Sequence, residues 1–70
     1  MKMTVDLVTL RNLRKEKGIK QSEMARLLGY KNQSGYSKLE TGVKEFTAGE
    51  LGIVAHVLDK PADSFLVISE

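Results

Sequence analysis

The stretch Gln21-Ser22-Glu23-Met24-Ala25-Arg26-Leu27-Leu28-Gly29-Tyr30-Lys31-Asn32-Gln33-Ser34-Gly35-Tyr36-Ser37-Lys38-Leu39-Glu40-Thr41-Gly42 divides into two short helical segments around a tight turn. In the first segment Met24, Leu27 and Leu28 recur at the i, i+3, i+4 spacing of one helical face, and Gly29 follows where a left-handed cap ends a helix. In the second, Asn32 offers a side-chain oxygen to cap a helix whose Tyr36 and Leu39 recur at i, i+3 and whose end is marked by Gly42. Two helices sharing one apolar seam are predicted.

Outward from that pair, similar signals continue on both sides. Leu7, Leu10 and Leu13, with Val8 offset, mark a helical face from Asp6 to Lys17, with Thr4 or Asp6 as its cap, basic residues in its last turn and Gly18 at its close. Ile19 is expected to turn inward. Lys20 then occupies the cap position before Gln21, where Ser, Thr, Asp or Asn is usual. After Gly42, Val43-Lys44-Glu45-Phe46 reads as a loop anchored by Phe46, and Thr47-Ala48-Gly49-Glu50 is a capping box opening a fourth helix. Leu51, Val54, Ala55 and Leu58 form its core face, and Pro61 predicts a stop around Lys60. Ala62 to Leu66 offers one last turn with Phe65 and Leu66 folding back, while Val67-Ile68-Ser69-Glu70 reads equally as a short strand or a frayed end. The expected fold is a compact all-α domain of four to five helices spanning residues 1–70.

At 70 residues the chain lies near the lower limit for a core without staples. With no cysteine, disulfides and thiolate metal sites are excluded, and a reducing cytoplasm is the expected location. No apolar run approaches the roughly 18 residues of a membrane span, and the opening residues lack the apolar stretch of a signal peptide. The net charge of +2 says little by itself. Its distribution says more: Lys15, Lys17, Lys20, Arg26, Lys31, Lys38 and Lys44 lie in or beside the opening stretch, whereas Glu50, Asp59, Asp63 and Glu70 weight the final third toward acid. One end is expected to be electropositive.

The pattern Gln21, Ala25, Gly29, followed by Tyr36, Leu39, Glu40 and Gly42, resembles the helix-turn-helix of the lambda-type phage repressor and Cro group, the XRE family. The likeness runs from about Leu7 to Leu66, with the helix-turn-helix at about 21–41. Ala25 suits a close helix crossing and Gly29 a sharp turn. The spacing from Gly29 to Tyr36 is one residue longer than the family's usual one. Placing the extra residue in the turn, at Lys31, keeps Tyr36 and Leu39 inward; inside the helix it would rotate the seam by about 100°. The resemblance implies double-stranded DNA as partner, with the second helix in the major groove. Carried over by position, Gln33, Ser34 and Lys38 would face base edges, with Ser37 nearby, and Gln21, Lys20, Lys44 and Lys31 would contact phosphates. Glu40 would pair with Arg14 as a structural ion pair.

Taken singly, Gln33 and Ser34 also read as solvated polar residues, and Lys38 and Lys44 as surface lysines. Gly35 inside a helix costs about 1 kcal/mol relative to alanine. Close approach to DNA, helix packing and a tolerated weakness all remain open for it. His56 has no second histidine or cysteine with which to share a metal, so no metal site or cofactor is expected. No nucleophile, base or metal constellation points to an enzyme. Ile53 and Val57, with Phe65, Val67 and Ile68, are expected to form a homodimer contact or to be covered by the tail within one chain. The expected function is transcriptional regulation, as a repressor bound as a homodimer to a palindromic operator. The alternative is an antitoxin-like or anti-repressor module that uses the same fold to bind a protein.

Overall fold

The computed structural model describes residues 1–69. In order they form strand β1 (Lys2–Val5), helices α1 (Leu7–Glu16), α2 (Gln21–Leu27), α3 (Gln33–Glu40) and α4 (Ala48–Val57), a 3₁₀ turn (Ala62–Phe65) and strand β2 (Leu66–Ser69). Leu10, Met24, Ala25, Tyr36, Leu39, Leu51, Val54, Ala55, Leu58 and Phe65 make the buried apolar core. The most extensive helix–helix packing joins α2 to α3, the pair around the tight turn.

The helix starts follow their cap chemistry. Asp6 accepts from the Thr9 N–H at 3.1 Å, Asn32 from the Ser34 N–H at 3.1 Å, and Thr47 and Glu50 cap α4 reciprocally at 3.0 and 2.9 Å. At Lys20, which has no acceptor to offer, the Glu23 carboxylate instead reaches back to the Lys20 N–H at 3.3 Å. Helices α1, α2 and α4 end alike, in paired bonds in which two residues beyond the cap return to carbonyls of the last turn: Gly18 and Ile19, Gly29 and Tyr30, Asp59 and Lys60. At α4 the left-handed position is held by Asp59, at φ 59°, rather than glycine. This motif ends α4 at Val57, before Pro61 can act, which is earlier than the expected stop around Lys60.

Three further differences from the sequence reading have physical reasons. The fold is not wholly helical: β1 pairs antiparallel with β2, Lys2 opposite Ser69 and Val5 opposite Leu66. The final segment 67–69 is thus strand, while Glu70 lies outside the described residues. Leu27 is 43% exposed, because the inward face of α2, which packs against α3, is made by Met24, Ala25 and Leu28. Val8 likewise faces outward. Among the described residues, no helix is long and apolar enough to cross a membrane.

Candidate functional site

Helix α3 is exposed along one side because its other side supplies core. Successive residues step about 100° around a helix. Tyr36, Leu39 and Glu40 therefore point inward together, and all three are buried. Ser34, Lys38 and Thr41, at i, i+4, i+7, lie on the opposite side and are exposed. Gln33 and Ser37 border this surface on the α2 side. Gly35 borders it on the other side, against the Tyr30 ring. Thr41, which the sequence reading left out, belongs to this face; its spacing of seven from Ser34 was the available signal.

Behind the face runs one connected polar chain. The Arg14 guanidinium donates to both Glu40 carboxylate oxygens, from Nε at 2.6 Å and Nη2 at 3.0 Å, and from Nη1 to the Ile19 carbonyl at 2.7 Å. The Gln21 amide donates to the same carboxylate at 3.1 Å, and the Gln33 amide donates to the Gln21 Oε1 at 2.9 Å. A buried charge pair on α1 and α3 thus fixes a glutamine at the start of α2, which in turn fixes the first residue of α3. Burial pushes the Glu40 carboxyl up, but the hydrogen bonds from Arg14 and Gln21, with the Arg14 charge, outweigh it and hold the group below its ordinary range. The bond to Glu40 raises Arg14 further. Tyr36 lies beside this pair with its hydroxyl buried and unpartnered among the described residues. Burial, followed by the neighbouring carboxylate, holds its phenol well above the usual value.

The turn between α2 and α3 places its extra length outside the helix. Gly29 adopts φ 86°, Tyr30 and Lys31 follow, and Asn32 caps α3 through its side chain, which also accepts from the Ser34 hydroxyl. Lys31 and Lys20 are exposed on either side of α2. Lys44, in the loop after α3, is exposed too, but its ammonium is held: it donates to the Tyr30 hydroxyl at 2.7 Å and lies 4.6 Å from that ring's centre. Sequence reasoning missed Tyr30. The signal was Gly35, because a Cβ there would stand 2.5 Å from the Tyr30 Cδ1. Of the explanations left open for that glycine, the geometry supports close packing, against the turn residue Tyr30 rather than another helix.

The expected interface residues divide. Ile53 is 44% exposed, and Val67 and Ile68 are exposed at 45% and 57%. Val57 is half-buried and packs against the core. Phe65 is corrected: at 0% exposure it is a core residue, drawn in by the 3₁₀ turn that precedes β2, and offers nothing to a partner. Among the described residues, no group of three or more His, Cys, Asp or Glu side chains is placed to hold a metal ion.

Among known proteins, a family model described as helix-turn-helix matches residues 10–65 of the chain. No curated protein matches it significantly.

Proposed function

Because the chain belongs to the lambda-repressor-type helix-turn-helix family, whose members regulate transcription through double-stranded DNA, we propose that it represses transcription as a homodimer on a palindromic operator. The observation that carries the reading is the exposed side of α3 backed by the Glu40–Gln21–Gln33 chain. A base-reading side chain already held in place loses less freedom on contact. Gln33 has that fixation. With one amide hydrogen given to Gln21, its second hydrogen and its carbonyl oxygen remain, the donor and acceptor that adenine requires in the major groove. Lys38 suits guanine, Ser34 accommodates either, and Ser37 lies at the edge. Lys20, Gln21, Lys31 and Lys44 flank this surface as the phosphate contacts.

Selection from random duplexes at two salt concentrations tests the reading. The expected result is a palindromic consensus whose binding weakens steeply with salt. Recovery of no sequence above non-specific background, with capture of a protein instead, would favour the protein-interaction module. Within the consensus, Gln33→Ala is expected to erase preference at one position in each half-site, worth roughly 1 to 3 kcal/mol. An unchanged profile at every position would reassign the reader.

The homodimer rests on the exposed apolar side chains of Ile53, Val67 and Ile68. A two-fold dimer would set two copies of α3 about 34 Å apart, one turn of DNA. Ile53→Asp places a charge in that contact, so sedimentation is expected to shift toward the monomer mass. An unaltered mass would remove Ile53 from the interface.

A further inference from the structure

Tyr30 sits where three elements meet. Its N–H closes the cap of α2 on the Ala25 carbonyl at 2.9 Å, which fixes its backbone. Its ring occupies the space a side chain at residue 35 would need, so it lies directly on the first turn of α3. Its hydroxyl donates to the Glu50 carboxylate and accepts from Lys44. Glu50 is itself fixed as the capping-box acid of α4. The tyrosine is therefore held at its backbone, its ring and its hydroxyl, and it holds the lysine.

How it holds that lysine matters. A surface lysine tied down by a carboxylate has its charge largely answered by its partner. Lys44 is tied down by a neutral hydroxyl and a ring face, and its carboxylate neighbour Glu50 is reached through that hydroxyl rather than in a direct ion pair within 4.0 Å. The side chain is held by these contacts while the residue remains exposed. The hydroxyl that accepts from Lys44 also raises its pKa, so the ammonium stays charged. Lys44 leaves the chain after α3, and its tip reaches back to the hydroxyl of Tyr30, whose Cβ, Cγ and Cδ1 lie against Gly35 in the first turn of α3, on the flank away from Gln21. A cation restrained in that place loses less side-chain freedom on meeting an anion than a free lysine would.

We propose that Tyr30 is a positioning residue that holds Lys44 ready for a backbone phosphate of the DNA strand bordering α3 on the side opposite Gln21. The inference rests on the DNA-binding reading and adds to it the residue that sets one phosphate contact without touching DNA itself.

The test titrates a fluorescein-labelled duplex of the selected consensus with full-length protein, by anisotropy across a salt series. Lys44→Gln and Tyr30→Phe, which keeps the ring on Gly35, are expected to weaken binding at 0.1 M salt by roughly five- to tenfold each. Each is also expected to reduce the slope of log K against log salt by about one. The double variant is expected to bind no worse than either single one, because both changes remove the same contact. Wild-type slope and affinity in Tyr30→Phe overturn the positioning role. So do a loss of affinity with unchanged slope, additive losses in the double variant, and a Lys44→Gln protein that binds as wild type. If the wild-type protein binds no duplex at all, the DNA reading falls and this proposal with it.

Discussion

Glu40→Ala lowers the unfolding free energy by about 3 to 5 kcal/mol, read as a fall in the urea midpoint with the slope of the transition little changed. The size follows from what is left behind. Glu40 is 1% exposed, and its removal strands the Arg14 guanidinium in the interior with two of its donors unanswered. For a 70-residue domain, whose total stability is of order 5 kcal/mol, that leaves about 0 to 2 kcal/mol, so up to about half of the molecules unfold without denaturant. Removing both charges with Arg14→Met and Glu40→Leu is expected to cost less than removing one, since no unpaired ion remains buried. A wild-type midpoint for Glu40→Ala would show that the pair contributes nothing to stability. The effect also has a pH signature. The Glu40 carboxyl is held below its unfolded value, so its contribution is complete above that unfolded value and fades as pH falls through the folded one. The stability curves of wild type and Glu40→Ala therefore converge in acid.

Phe65→Ala costs about 3 to 5 kcal/mol as well, the range for deleting a fully buried aromatic side chain. The 3₁₀ turn that carries Phe65 packs on both α1 and α4, and its backbone is tied to the start of α1 by the Asp6 N–H donating to the Phe65 carbonyl at 2.7 Å. The cavity thus opens where three elements converge and collapse is restricted. Denaturation at two well-separated protein concentrations separates the two roles this residue could have. A core residue lowers the midpoint equally at both. A loss that appears at the higher concentration and vanishes on dilution, where no dimer remains to be weakened, would return Phe65 to an interface.

Much of the helical framework was legible because its signals are local. A cap, a period of apolar residues and a glycine at the far end are all read within one segment, and the Thr47–Glu50 box and the inward Tyr36 and Leu39 needed nothing else. What escaped depends on partners distant in the chain. The strand identity of residues 66–69 is decided by residues 2–5, and no pattern inside Val67-Ile68-Ser69 could reveal that. Phe65 was readable both as folding back with Leu66 and as an interface residue, since a short turn has too few residues to define a face. Leu27 fits the spacing of a buried residue, yet it is exposed while Ala25 is buried, a choice made by packing between helices. At the candidate site the outward side of α3 followed from its period. The hydrogen bonds that orient Gln33 and Lys44 did not, because each links side chains more than ten positions apart.

The sheet joining the two ends of the described chain has a mechanical consequence. Lys2 stands opposite Ser69 and the pairing proceeds inward to Val5 and Leu66, so tension applied at residues 2 and 69 loads one pair at a time, as in a zipper. Such a seam opens at low force. The helices behind it feel the pull only after the last pair has parted, which makes the sheet a fuse between anything attached at the ends and the helical body.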